Sequence, residues 1–131
     1  CDFLSAVKEK FSLPAKILHI RAEEGGRDPL LREQFDVCCA RAVARLNTLS
    51  EYCLPFVREG GAFLAYKGAG AAEEVAEAKR ALSVLGGGEV KMCSYSLPGG
   101  MGERTIVFVR KTKPTPAKYP RGRGKERSAP L

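Results

Sequence analysis

Residues 35–68, FDVCCARAVARLNTLSEYCLPFVREGGAFLAYKG, decide the fold. Two apolar runs, 35–40 and 62–66, predict buried strands, and the amphipathic segment between them predicts a helix. This strand–helix–strand unit is the repeating piece of a parallel α/β sheet. Active groups in such sheets lie where the strands reach their carboxyl ends. The unit therefore directs attention to Arg41 and Lys67, which follow the two strands.

The helix of this unit carries its own boundary signals. Thr48 and Glu51 have the spacing of a capping box, which predicts that the helix begins at residue 48. Pro55 is expected to kink or shorten it, and Gly60-Gly61 to end it. One apolar face repeats at helical spacing through Leu49, Tyr52, Cys53, Phe56 and Val57.

The chain before this unit predicts a helix over residues 1–12 and a short strand over 17–20. The turn Arg21-Ala22-Glu23-Glu24 follows that strand directly. It is either the cofactor side of a doubly wound sheet or a helix start where the dipole favours carboxylates. Both interpretations stay open on the sequence alone.

The chain after the unit predicts one more helix and a hairpin. Residues 73–85 have a helical apolar pattern that the glycines at 86–88 stop. Two strands, 90–97 and 105–109, are separated by a short Pro/Gly turn and should pair antiparallel. The helix is expected to turn four apolar residues inward: Val75, Ala78, Leu82 and Leu85.

The composition indicates one soluble domain. The chain has 131 residues, 44% of them hydrophobic, and no apolar run approaches the roughly 20 residues of a membrane span. Cys1 leads directly into a helical pattern, so we expect the chain to be a piece of a longer protein. No exposed apolar face calls for a partner subunit, and we expect a monomer.

The positive charge is concentrated at one end. The formal net charge is +7, and residues 1–109 carry equal numbers of basic and acidic side chains, so residues 110–131 supply the whole excess. Proline, glycine and basic residues predict that the segment from 113 onward joins no packed core and is a disordered tail. A polycation on a soluble protein suggests nucleic acid as the partner.

The cysteines and the single histidine favour no metal site. The five cysteines have no CxxC spacing, and His19 is the only histidine. We expect reduced thiols, a cytoplasmic protein and no bound metal.

Several stretches resemble the ribosomal RNA small-subunit methyltransferase G family, also called glucose-inhibited division protein B. The matching pieces, over nearly the entire chain, are FL at 3–4, RAEE at 21–24, FDVCCARAVARLNTLSEYCLP at 35–55, GGAFLAYKG at 60–68 and ERTIVFVRKTKPTPAKYPR at 103–121. The fold implied is α/β: the C-terminal half of a class I (Rossmann-like) S-adenosylmethionine-dependent methyltransferase sheet, with a terminal antiparallel hairpin. Residues 1–112 would form this part of the domain and residues 113–131 the tail.

The resemblance implies an enzyme that methylates N7 of a guanine in 16S ribosomal RNA with S-adenosylmethionine, acting on the RNA or the small ribosomal subunit. The family's glycine-rich loop and its ribose-binding acidic residue would precede Cys1, so the fragment alone is expected to be inactive. The alternative is a non-catalytic RNA-binding module on a degenerate methyltransferase core. A methyltransferase of small molecules fits the polycationic tail poorly.

The resemblance also assigns residues to roles. Ala22, Glu23 and Arg41 would contact the cofactor. Arg41, Arg45, Lys67 and Arg104 would lie on the substrate side, and Tyr66 stands where many relatives carry leucine. The tail residues expected to contact RNA are Lys111, Lys113, Lys118, Tyr119, Arg121 and Arg123, with the tyrosine available to stack on a base.

No side chain is expected to act as an acid or base. Guanine N7 has an in-plane lone pair and no proton, so positioning and electrostatics suffice. An arginine bound to both O6 and N7 would cover the reacting atom. The arginines should therefore contact O6 or phosphate.

Overall fold

A computed structural model of the protein describes residues 1–41 and 44–131. Ala42 and Val43, in the predicted loop between Arg41 and Arg45, lie outside the described residues. The elements follow in the order α1 (Asp2–Lys10), α2 (Ala22–Gly25), β1 (Phe35–Arg41), α3 (Leu46–Cys53), β2 (Val57–Lys67), α4 (Ala71–Val84), β3 (Gly87–Ser96), β4 (Glu103–Lys111) and α5 (Lys125–Ser128).

The four strands form one mixed sheet in the order β1-β2-β4-β3. β1 and β2 are parallel, as the strand–helix–strand pattern predicted. β3 and β4 pair antiparallel, which confirms the predicted hairpin. β4 also pairs antiparallel with β2 and so lies inside the sheet, between β2 and β3.

Helices α3 and α4 cover one face of this sheet. Phe63, Ala65, Val107 and Val109 point to that face and are buried in a single apolar core. Residues that are paired across neighbouring strands share a face, and alternate residues point to opposite faces. Tyr66 therefore points to the other face, where it is 39% exposed.

The predicted strand over residues 35–40 is confirmed as β1, but the prediction that it is buried is wrong. β1 occupies one edge of the sheet, and most of its residues are exposed. Val37, for example, is 53% exposed. An edge strand that helices cover on one side only cannot bury both of its faces.

The predicted strand over residues 17–20 does not form among the described residues. The Ile20 side chain instead lies against Gly25, where it would come within 2.8 Å of an added Cβ. A strand needs a hydrogen-bonded neighbour, and this segment has turned toward α2 rather than to the edge of β1.

The predicted start of the central helix is also wrong. α3 begins at Leu46, and Thr48 lies inside it, where its hydroxyl donates to the Glu126 carbonyl over 2.8 Å. Glu51 pairs with Arg121 instead of capping the helix. Pro55 does shorten the helix, which ends at Cys53 before a 3-10 turn, Leu54–Phe56.

The glycine pair at 60 and 61 lies within β2 rather than at the end of a helix. A Cβ on Gly61 would lie 2.6 Å from the Asp36 carbonyl oxygen of β1, so the close approach of the two strands requires glycine here. The close approach of β1 and β2 explains the glycine at position 61 better than a helix stop does.

The remaining helices agree with the sequence pattern. α1 fills most of the predicted 1–12 segment, and α4 nearly coincides with the predicted 73–85 segment. Ala78, Leu82 and Leu85 are buried, and Val75 packs against the core as expected.

The expectation that no residue from 113 onward joins a packed core is wrong. Tyr119 is 6% exposed and belongs to the apolar core, and Thr115 and Glu126 are buried as well. The Thr115 hydroxyl donates to the Leu85 carbonyl over 2.7 Å. We call residues 111–128 the strap, because they run across the body and are hydrogen-bonded to it.

Candidate active site at the sheet edge

A cleft of about 760 Å³ opens at the edge of the sheet where the parallel strands β1 and β2 end. Such edges hold the ligands of α/β proteins, and the volume suits a small-molecule ligand. The cleft is lined by Cys39, Ala40, Arg41, Tyr66, Lys67, Gly68, Tyr95, Leu97 and Arg104.

Arg41 is the last residue of β1 and is exposed at the cleft. It pairs in register with Tyr66, so both side chains point to the face of the sheet that α3 and α4 leave open. A guanidinium on this face can donate to a carbonyl or phosphate oxygen inside the cleft.

Lys67 ends β2 on the opposite, helix-covered face and borders the cleft from that side. Its ammonium donates to the Ala44 carbonyl over 2.6 Å and forms an ion pair with Glu74 over 2.8 Å. The same carboxylate oxygen of Glu74 accepts the Leu46 amide, which begins α3. Lys67 therefore fixes the start of α3 beside the cleft.

Arg104 and Tyr95 bring the hairpin to the same cleft. They pair across the two strands, one residue before β3 ends and one residue after β4 begins. Arg104 is exposed, and its guanidinium donates to the neighbouring Glu103 carbonyl over 2.9 Å. Three of the predicted substrate-side residues, Arg41, Lys67 and Arg104, thus meet at one cleft.

The structure does not bring the other predicted residues into the cleft. Arg45 pairs with Glu77 on the exposed side of α4, over 2.6 Å. Ala22 and Glu23 lie in α2, and neither lines the cleft. Glu23 is buried and accepts a hydrogen bond from Arg21 over 2.7 Å. Burial works to raise the pKa of Glu23, but its backbone hydrogen bond and Arg21 together lower it.

Three of the tail residues predicted to contact RNA are engaged inside the protein. The Lys111 side chain is fully buried, Tyr119 is buried, and Arg121 forms an ion pair with the buried Glu51 over 2.8 Å. Tyr119 is therefore not available to stack on a base in this structure. The hydrogen bond to Glu51 raises the pKa of Arg121.

The other three tail residues are exposed: Lys113, Lys118 and Arg123. The Lys118 ammonium lies 5.2 Å from the centre of the Tyr119 ring, a cation–π contact that leaves the charge in solvent. The basic segment therefore contains both buried, paired residues and exposed residues, and the composition alone does not distinguish them.

Cys39 and Tyr95 were not singled out from the sequence, and Tyr66 was noted only for replacing leucine. The alternation of side chains along a strand would have predicted that these residues share a face with Arg41 or Arg104. Cys39 lies two residues before Arg41, and Tyr95 lies opposite Arg104 in the hairpin. Residues of the same parity around a predicted site residue share its face.

The described residues, 1–41 and 44–131, contain neither a metal site nor a membrane-spanning helix. No group of three or more histidine, cysteine, aspartate or glutamate side chains could hold a metal ion there. The same residues contain no helix that is long and apolar enough to span a membrane. Their five cysteines are free thiols.

A parallel strand pair, an antiparallel hairpin strand inserted beside it and a cleft at the carboxyl edge of the parallel strands define a Rossmann-like α/β fold. The CMeT domain of citrinin polyketide synthase has this fold. It superimposes with a TM-score of 0.60 at 15% sequence identity, over 86% of this chain and 37% of that domain's chain.

Residues 1–106 match the family model of GidB, rRNA small subunit methyltransferase G, and the chain belongs to this family. Ribosomal RNA small subunit methyltransferase G of Lactobacillus acidophilus is 48% identical over 130 residues, 98% of this chain and 54% of the relative. The protein of the same name from an Exiguobacterium species is 53% identical over 113 residues, 86% of this chain and 48% of the relative. The chain thus spans about half the length of these relatives.

Proposed function

We propose that this chain is the substrate-side half of an S-adenosylmethionine-dependent enzyme that methylates N7 of a guanine in 16S ribosomal RNA in the cytoplasm. The observation that carries the proposal is the meeting of Arg41, Lys67 and Arg104 at one cleft, at the sheet edge where such enzymes bind their ligands. Membership of the family supports the same activity.

The cleft has features that fit the cofactor. Its volume suits a small molecule, and its lining combines tyrosine rings with basic groups. Arg41 would hold the cofactor from β1. Ala22 and Glu23, which the resemblance assigns to its adenosine part, lie in α2 outside the cleft and would contact only a part of the cofactor that extends beyond it. Bound S-adenosylmethionine supplies an electrophilic methyl group on sulfur.

The chain's own residues would bind and orient the base. Because guanine N7 has a free in-plane lone pair, the reaction requires no proton acceptor at that atom. Arg41 or Arg104 would donate to guanine O6 or to a phosphate and leave N7 uncovered. Lys67 would hold the rim of the cleft in place through Glu74 and the first turn of α3.

The residues outside the cleft would have supporting roles. The resemblance also places Arg45 on the substrate side. Its guanidinium would contact RNA only after its ion pair with Glu77 breaks. The exposed Lys113, Lys118 and Arg123 would contact the RNA backbone. The partner would be the RNA itself or the small ribosomal subunit, with the enzyme acting as a monomer.

The test uses a complete protein that carries this chain, labelled S-adenosylmethionine and small-subunit ribosomal RNA, with the modified base mapped by cleavage specific for N7-methylguanine. Arg41→Gln should lower kcat/KM about a hundredfold, because it removes a positioned donor. Arg80→Gln, an exposed arginine of α4, is the matched control and should change little.

Each outcome decides one point. Equal values of kcat/KM for Arg41→Gln and Arg80→Gln would show that Arg41 does not contribute to the site. A complete protein that binds the RNA but transfers no methyl group would favour the non-catalytic RNA-binding module instead.

A further inference from the structure

The strap runs along α3 from the far edge of the sheet toward the cleft. At its start the Lys111 ammonium donates to the Leu54 carbonyl, just after α3 ends. Farther on, Arg121 pairs with Glu51, and then the Glu126 carbonyl accepts from Thr48 over 2.8 Å. Along the strap, the contacted residues of α3 therefore run from its last turn toward its first. The end of the strap lies near the start of α3, which is beside the cleft.

Two arginines of the segment before β1 hold the middle of the strap. Arg32 donates to the carbonyls of Thr115 and Tyr119, over 2.8 and 2.7 Å. Arg27 donates to the Pro120 carbonyl over 2.7 Å. Charged donors give stronger hydrogen bonds than neutral ones, so these contacts fix the course of the strap backbone.

A glycine fixes the place where the strap leaves the sheet. The Gly86 carbonyl accepts the amides of Thr112 and Lys113 over 2.9 and 3.1 Å. Gly86 has a φ of +91°, and a Cβ at this position would lie 2.1 Å from the Lys113 carbonyl oxygen. Only glycine permits this contact, so the body of the protein is shaped to receive the strap.

The acidic and basic groups at the end of the strap face opposite ways. The Glu51 and Glu126 side chains are buried, and they accept from Arg121 and from the Gly122 amide. Arg123, Lys125 and Arg127 are exposed and form no ion pair with any described residue. We call these three residues the basic end.

We propose that the basic end is a preorganised binding site for the phosphate backbone of the RNA strand whose base enters the cleft, an inference that rests on the proposed function. Phosphate contacts by lysine and arginine position a nucleic acid without reading its sequence. A strap already held on α3 offers these contacts without the entropy cost of ordering a free tail.

A docked strap and a flexible polycation would bind RNA in measurably different ways. A flexible tail would bind through all of its charges, including Lys111 and Arg121, and would bind better when a nearby acidic group is removed. A docked strap binds through its outward groups only, and it depends on the buried carboxylates that hold it in place.

The first experiment measures the dissociation constant of the complete protein for a small-subunit ribosomal RNA fragment over a series of KCl concentrations. The triple variant R123Q/K125Q/R127Q should lower the slope of log affinity against log salt by about 2 to 3, one phosphate contact for each residue. The control K10Q/K16Q/R80Q removes the same charge from exposed sites elsewhere and should keep most of the slope.

Methyl transfer separates this inference from the proposed function. The control K10Q/K16Q/R80Q should methylate RNA at the wild-type single-turnover rate, while R123Q/K125Q/R127Q should need several-fold more RNA to reach half of its own maximum rate, because it has lost phosphate contacts. Equal salt slopes for the two triple variants would overturn the inference, even if the wild type methylates RNA. A wild type that binds RNA but never methylates it would overturn the proposed function. The salt dependence of RNA affinity would still show whether the basic end binds the RNA backbone.

A second experiment tests the preorganisation through Glu51→Gln. Without RNA, amide hydrogens of residues 122–129 should exchange slowly in the wild type and faster in this variant, because the variant loosens Arg121. RNA affinity should fall several-fold although the protein gains positive charge. Fast exchange in the wild type, or unchanged or tighter binding by the variant, would show that the strap acts as a flexible tail.

Discussion

Lys67 is the last residue of β2, and Lys111, the last residue of β4, reaches the first residue of β2, Val57. Both ammonium groups are nearly excluded from solvent. Lys67 has two oxygen acceptors among the described residues, the Ala44 carbonyl and Glu74. Lys111 has four, which are the carbonyls of Leu54 and Val57, the Thr115 hydroxyl and the Glu33 carboxylate.

An ammonium group has three hydrogens to donate. The acceptors around Lys111 use all of them, so this lysine joins β2, β4 and the strap and has nothing to offer a ligand. Lys67 has one donor more than it has acceptors among the described residues, and it borders the cleft. From this difference in the number of oxygen acceptors we propose that Lys111 has a structural role and that Lys67 can also donate to a ligand in the cleft.

The largest effect is expected from Lys111→Met. This change removes a fully buried charged donor from the Leu54 and Val57 carbonyls and from Glu33, which keeps the Thr115 amide as a donor, so the free energy of unfolding should fall by about 3 kcal/mol. Urea unfolding of the complete protein measures it, with the exposed Lys113→Met as the matched control. A loss no greater than that of the control would mean that the four contacts contribute nothing to stability.

A smaller loss of stability is expected from Lys67→Met, about 1–2 kcal/mol, because Glu74 is 20% exposed and keeps the Leu46 amide as a donor. Glu74→Gln removes the same ion pair from the other side and serves as the control. Methyl transfer per folded molecule should fall further in Lys67→Met than in Glu74→Gln. Equal rates would make Lys67 a structural residue like Lys111.

The smallest effect is on the pH dependence of stability. Burial lowers the pKa of Lys111, although Glu33 works to raise it. Between that lowered value and the ordinary value of 10.5, the folded protein binds fewer protons at this site than the unfolded chain does. Stability contributed by Lys111 therefore rises with pH through this window and is constant below it.

Urea unfolding of the wild type and of Lys111→Met, from about pH 8 up to the ordinary lysine pKa, measures this difference. The gap between the two free energies should widen as the pH rises. A gap that narrows would show that Glu33 and the carbonyls favour the charged form more than burial disfavours it.

The sequence predicted those parts of the molecule that depend on local pattern. The apolar runs before Arg41 and Lys67 placed both residues at the same edge of a parallel strand pair, and the short turn before Arg104 added the hairpin. These inferences need only the alternation of a strand and the direction of a crossover.

The other predictions were wrong because the side chains concerned pair with residues far along the chain. Thr48 and Glu51 have the spacing of a capping box, but their partners are Glu126 and Arg121, which are 78 and 70 residues farther along the chain. Lys111 was grouped with an RNA-binding tail because its neighbours are basic, while its acceptors come from residues 33, 54, 57 and 115. Local spacing carries no information about such partners.

The position of β4 between β2 and β3 has a consequence for biosynthesis. β4 is the last of the four strands to be translated, yet among the described strands it is the only one paired with β3. A nascent chain that has not reached Glu103 exposes an unpaired edge on β2 and leaves β3 without a partner. Such edges pair readily with other chains. We therefore expect the nascent sheet to be prone to aggregation on the ribosome until the inner strand β4 emerges.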